Sequence, residues 1–169
     1  MTDNFWRKIS HISTKMFVDI CSRHAFLLLC TFCRGAHMNV REVGSSGYAR
    51  DIGSKLIALD ALAELCGNAS EVLTTSKVFG YQVRRLVVPC VLFNITYVFG
   101  DARIFSKVLR IITVLWNKWR THIKIEFAIL CEQLFIRVLE ASSTKVKPEF
   151  KKIALQEVQN WFDRSHILL

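Results

Sequence analysis

Residues 101–119 read Asp101-Ala-Arg-Ile-Phe-Ser-Lys-Val-Leu-Arg-Ile-Ile-Thr-Val-Leu-Trp-Asn-Lys-Trp119, and this stretch decides the fold class. Ile104, Phe105, Val108, Leu109, Ile111, Ile112, Leu115, Trp116 and Trp119 recur at helical spacing, while Arg103, Lys107, Arg110 and Lys118 fall opposite them. A period of about 3.6 residues places the first set on one wide apolar face of an α-helix. Asp101 stands where a carboxylate can accept from the first free backbone N–H groups, so it is the expected N-cap. A face this wide has to be covered by more than one neighbouring element.

Downstream, a helix is expected from about Thr121, carrying Ile123, Phe127, Leu130, Cys131, Leu134, Phe135, Val138 and Leu139 to about Ala141. Residues 142–147 form a polar linker, and Pro148 sits where a first helical residue is favoured. A last helix then holds Phe150, Ile153, Ala154, Val158, Trp161 and Phe162. Upstream, Ile52, Leu56, Leu59, Leu62, Ala63 and Leu65 define a helix stopped at Gly67-Asn68. Ser76 caps the next, which runs through Val78, Phe79, Val83, Leu86 and Val87 towards Pro89, where a kink or break is expected. Phe5 to about Cys33 reads as one bent helix or two shorter ones. Gly35, Gly44, Ser45, Ser46 and Gly47 mark residues 35–50 as a loop.

No convincing strand alternation occurs, so the class is all-α. Amphipathic helices of about 15 to 20 residues, paired every ~40 residues, predict an α-solenoid of HEAT or armadillo type. An irregular helical bundle is the alternative, since no strict repeat consensus is visible.

The 169 residues fit one domain or one piece of a larger one. With 51% hydrophobic residues and only 7 Gly and 2 Pro, disorder, collagen and a turn-rich β-sandwich are excluded. A spanning helix needs about 18 uninterrupted apolar residues. The 86–100 run is broken by Pro89, Asn94 and Thr96, and the 25–32 run is shorter, so no membrane span is expected. No secretory leader is visible at the N-terminus, and the expected compartment is the cytosol. The apolar surplus, with mean hydropathy +0.28, instead predicts uncovered faces. These are expected on the first helix and on the Val158-Trp161-Phe162 helix with its Ile167-Leu168-Leu169 tail.

Chemistry is sparse. Cys30-Thr31-Phe32-Cys33, with His24 and His37 near it, has the spacing of a zinc half-site, but the second ligand pair is missing and the thiols lie in an apolar helical run. Core cysteines are the expected reading, and no metal or cofactor is called for. Phosphate-binding glycine loops and nucleophile elbows are absent, and His122 reads as a solvated helix start. Asn68-Ala69-Ser70 and Asn94-Ile95-Thr96 match the glycosylation pattern, which carries no meaning in a cytosolic chain. The formal charge of +9 gathers in short clusters. Arg84, Arg85, Lys118, Arg120, Lys151 and Lys152 are candidate contacts for an anionic surface. Nucleic acid is disfavoured because exposed aromatics do not interleave with these cations.

Four segments in order carry a resemblance: Ser54-Lys-Leu-Ile-Ala-Leu-Asp-Ala-Leu62, Val108-Leu-Arg-Ile-Ile-Thr-Val-Leu115, Thr121-His-Ile-Lys-Ile-Glu126 and Leu134-Phe-Ile-Arg-Val-Leu-Glu140. They resemble the HUS region, for homology upstream of the Sec-seven catalytic domain, of the large BIG-class Arf guanine-nucleotide exchange factors. The segment 24–33 is similar to the helix that opens that region. The resemblance implies an α-solenoid, a cytoplasmic protein peripheral at Golgi and trans-Golgi membranes, and a non-catalytic regulatory role in vesicle-mediated transport. Implied partners are the preceding dimerisation (DCB) domain or other parts of an exchange factor, small Arf-family GTPases and the anionic Golgi membrane. Residues 1–19 would be a helical remnant of the preceding domain, and residues 20–169 the HUS-like region, ending before an Asn-Tyr-Asp-type box. A shortened gene product or fragment is therefore expected. The rival reading is a basic peripheral-membrane helical module with no exchange-factor role.

Overall fold

The computed structural model describes residues 17, 19–97, 101–141 and 148–166. Helix α1 spans Ile20–Ala36, α2 Tyr48–Gly67, α3 Glu71–Thr75 and α4 Lys77–Gln82. A π-helical turn, Val83–Val87, joins α4 without interruption to α5, Val88–Ile95. Then come α6, Ala102–Trp119, and α7, Lys124–Cys131, which a second π turn, Glu132–Ile136, joins to α8, Arg137–Glu140. Helix α9 spans Pro148–His166. No strand occurs among the described residues.

The caps expected at Ser76 and Asp101 form, and Asp19, which the sequence did not flag, caps α1. The Asp19 carboxylate accepts from the N–H of Cys21 at 2.8 Å, Ser76 Oγ from Phe79 at 3.3 Å, and Asp101 from Arg103 at 2.8 Å. Each satisfies a donor that a helix start leaves orphaned. Two boundaries differ from expectation. Gly35 and Ala36 complete α1, and Tyr48 already opens α2, so the loop shrinks to residues 37–47. The linker 142–147 and residues 1–16 lie outside the described residues.

The helices form two layers. Helices α2, α6 and α9 run parallel: Asp60 of α2 pairs with Lys107 of α6 at 2.7 Å, and Thr113 of α6 bonds Glu157 of α9 at 2.6 Å. Helix α1, the 77–95 rod and the 124–140 rod form the other layer. The α1 carbonyl of Ala36 meets Asn94 at 3.0 Å, and Arg84 pairs with Glu126. Between layers the chain reverses, so Phe79 near the start of one rod stacks on Trp119 at the end of α6. Three antiparallel pairs stacked side by side are the solenoid arrangement the sequence predicted. The pairs start at residues 20, 77 and 124, offsets of 57 and 47, longer than the ~40 residues expected from known repeats.

Pro89 does not break its helix. Among the buried residues of that rod, Phe79, Val83, Val87, Val91 and Ile95 are spaced by four, with Leu86, Val88 and Cys90 buried beside them. An α-helix turns about 100° per residue, so each step of four would drift ~40° off the core face. The widened turn at Val83–Val87 takes up this drift, and the Val88 N–H reaches back to the Val83 carbonyl, five residues away. Pro89 then follows with no donor to lose from the core register. The rod Lys77–Ile95, 19 residues with mean hydropathy 1.2, is long and apolar enough to cross a bilayer, contrary to the sequence expectation. Its apolarity has a nearer cause, because most of it is buried against α1 and α6.

Gly80 marks a close approach. A Cβ there would lie 2.3 Å from Nδ1 of His122. The imidazole cannot swing away freely, because its Nε2 is 2.7 Å from the Thr74 carbonyl oxygen. His122 is thus a half-buried packing residue rather than the solvated helix start the sequence indicated. Gly80→Ala is expected to destabilise the fold by about 1–3 kcal/mol, the usual cost of overpacking. Urea unfolding checks this, and an unchanged midpoint would contradict it.

Candidate interaction surface

The four cysteines 30, 33, 66 and 90 are buried in the core, as expected for an apolar helical run. Burial pushes the thiols of Cys30 and Cys66 up to about 12, which makes them poor nucleophiles. His24 is exposed, while His37 stacks on Phe93 at 4.0 Å. Among the described residues no cluster of three or more His, Cys, Asp or Glu could hold a metal ion. Asn94 is fully buried and its amide donates to the carbonyls of Ala36 and Cys90, so its glycosylation pattern is closed to a glycan.

Among the described residues the one charged side chain in the core is Lys55, with no exposed surface. Its ammonium donates to the Ala36 carbonyl at 2.6 Å and to Asn94 Oδ1 at 2.8 Å, and lies 4.9 and 4.8 Å from the rings of Phe93 and Tyr97. Loss of hydration lowers its pKa to about 8. The cage ties the end of α1 to α2 and α5. It is sealed, which makes it a structural clamp rather than a reaction centre. Nothing in the sequence distinguished this lysine, because a single cation at a buried helical position looks like a solvated one.

The accessible feature is an apolar groove where α6, the 124–140 rod and α9 converge. Trp116 packs on Phe127 at 4.7 Å, Phe127 on Trp161 at 5.5 Å, and Phe135 meets Trp161 edge-on at 5.1 Å. The Trp161 indole N–H donates to Thr113 Oγ1 at 3.1 Å, and the Thr113 hydroxyl donates to the Glu157 carboxylate, so this wall is held in place. The groove encloses about 860 Å³, within the size range of binding cavities. Its lining is almost wholly apolar, with Glu132 the only charged lining residue among the described residues. Burial pushes the thiol of Cys131 in its wall up to about 11.

Exposed apolar surface partly follows expectation. Ile20 and Leu28 of α1 are exposed, and so are Ile153 and Leu155 of α9. Trp161 is buried and Val158 half-buried, contrary to the expected open face, because the 124–140 rod folds over them. The Phe162 side chain and residues 167–169 lie outside the described residues. That rod itself exposes Ile125, Ile129, Ile136 and Leu139, which the sequence did not flag. Three of its buried residues, 130, 134 and 138, are again spaced by four, with Phe135 buried beside Leu134, so the second π turn keeps them inward and leaves Ile136 and Leu139 at the groove mouth.

The candidate anionic contacts do not form one patch by pairing. Arg84 is engaged with Glu126, and Arg120 lies 6.0 Å over the Trp116 ring. Lys151 donates to the Leu139 carbonyl at 2.9 Å. Lys118 and Lys152 are exposed, and Arg85 is exposed on the π turn beside Arg84.

Among the described residues, the chain is a stacked helical scaffold with a packed core and an open apolar groove. A family model described as "Mon2/Sec7/BIG1-like, HUS domain" matches residues 12–169, and the chain belongs to this family. The HUS domain is the non-catalytic region upstream of a Sec-seven catalytic domain. Over 128 residues the chain is 23% identical to brefeldin A-inhibited guanine nucleotide-exchange protein 1 of Rattus norvegicus and of Mus musculus, and 22% identical to that of Homo sapiens. The aligned part covers 76% of this chain and 7% of each relative. No solved structure matches the chain.

Proposed function

We propose that this chain is a non-catalytic regulatory module of an Arf guanine-nucleotide exchange factor, working through protein contacts in Golgi vesicle-mediated transport. The observation that carries the reading is the family match across residues 12–169. The relatives are named as guanine nucleotide-exchange proteins, and the open groove supplies a surface through which a module without its own chemistry can act. The proposed partners are a DCB-type domain or other parts of an exchange factor, with Arf-family GTPases and the Golgi membrane engaged through that assembly. Residues 20–169 are proposed as the working unit, with residues 1–19 derived from the preceding domain.

The rival, a basic lipid-binding module with no exchange-factor role, rests on fewer cations than the sequence offered, since Arg84 is neutralised by Glu126. Capture of a DCB domain by the folded chain is the expected result in a pull-down, with Arf nucleotide exchange staying at its intrinsic rate when the chain is added alone. No capture, or a clear acceleration of exchange, contradicts the proposal.

A further inference from the structure

We propose that the groove between α6, the 124–140 rod and α9 receives an amphipathic helix whose polar flanks are acidic. This rests on the reading of the chain as a protein-docking module and names the chemistry of what docks. Trp116 and Phe127 meet at one end of the groove. Leu139 lies twelve residues further along the rod, about 18 Å at 1.5 Å per residue, the length of roughly three helical turns. Aromatic walls of this length match the i, i+3/i+4, i+7 apolar stripe of a docked helix.

Charge selects the flanks. Arg120 stands over Trp116 at one end. Lys151 sits on the Leu139 carbonyl at the other end, with Lys152 next to it. Neither Arg120 nor Lys151 is in an ion pair among the described residues, so the two favour carboxylates at both ends of an occupant. Glu132, the acid of the lining, is exposed and stays hydrated at the mouth. A second copy fits poorly, since it brings a net charge of +9 and the same cations. A bilayer fits poorly as well, because a flat surface does not reach the walls of a concave groove.

The test titrates the 169-residue chain with two labelled peptides of about 18 residues that share one leucine face, one flanked by Glu and the other by Lys. The acidic peptide is expected to saturate by anisotropy and to shift the Trp emission, with affinity falling as salt rises. The basic peptide should bind at least about tenfold more weakly, and Arg120→Glu with Lys151→Glu should remove that preference. Leu139→Glu should abolish binding at an unchanged far-UV circular dichroism spectrum. Equal affinity for both peptides, no binding of either by the folded chain, or no effect of charge reversal overturns the proposal. So does displacement of the peptide by phosphatidylcholine–phosphatidylserine vesicles, which would assign the site to lipid, or self-association in sedimentation, which would assign it to a second copy. DCB capture is measured in parallel. Capture that survives charge reversal leaves the docking-module reading standing while this inference falls, whereas absence of capture by the folded native chain removes the reading itself.

Discussion

Trp119→Ala is expected to lower the unfolding free energy by about 3–5 kcal/mol, the range for deleting a large buried aromatic side chain. Trp119 has no exposed surface and closes α6 against both of its neighbours. Its ring stacks on Phe79 at 5.7 Å, and Phe79 in turn meets Phe17 at 6.1 Å. Its indole N–H donates to the Cys66 carbonyl at 3.0 Å, one of the acceptors that the end of α2 leaves without an intrahelical partner. Alanine would therefore open a cavity where three helices meet and strand a buried acceptor. Trp119→Phe separates the two effects: it keeps most of the ring contact and should cost about 1 kcal/mol for the lost hydrogen bond, plus a smaller packing loss. Urea midpoints at constant slope measure both. A Trp119→Ala loss below about 1 kcal/mol would show that the layers are not held at this corner.

Lys55→Ala is expected to cost about 3 kcal/mol, within the range for large-to-small core substitutions, because it leaves a cavity beside Phe93 and Tyr97 and deprives Asn94 Oδ1 of its donor. Lys55→Met keeps the volume and avoids the cavity, so it should cost less than Lys55→Ala, about 1–3 kcal/mol for the unpaired Asn94 Oδ1. The sharper test is pH. The lysine has a pKa of about 8 in the fold against 10.5 in the unfolded chain. Between these values the unfolded chain binds more protons, so this side chain's contribution to stability rises with pH, by about 1.4 kcal/mol per pH unit inside the window. It is constant below pH 8 and above pH 10.5. Three of the thiols act in the opposite sense. Cys30 and Cys66 near 12 and Cys131 near 11 keep protons that the unfolded chain loses above about 9, so their contribution to stability falls at high pH. Comparing the native chain with Lys55→Met cancels the contributions of Cys30, Cys66 and Cys131, whose shifts do not involve Lys55. The native chain should gain on the variant from pH 8 to 10, and a constant gap would show that the ammonium is hydrated in the fold.

How far the sequence revealed this molecule follows from what each residue type signals locally. The 101–119 stretch was legible because its apolar period and its capping Asp101 are properties of one helix. The layering was legible because such wide faces need neighbours on two sides. The π turns were present in the sequence as repeated spacings of four, 79-83-87-91-95 and 130-134-138, but a reading at 3.6 residues per turn passes over them. That same register change put Ile136 and Leu139 at the groove mouth, so the groove was missed together with it. Lys55 was illegible for a different reason. Its burial depends on Ala36 and Asn94 arriving from α1 and α5, contacts 19 and 39 residues away in sequence.

The central claim is that the groove makes this HUS-family chain a protein-docking module. Isothermal titration of a DCB domain into the native chain and into Leu139→Glu, both verified as folded by circular dichroism, tests it most directly. The account predicts a saturable isotherm with the native chain and none with the variant. Equal binding by both would place the docking surface elsewhere on the solenoid, and no binding by either would contradict the account outright.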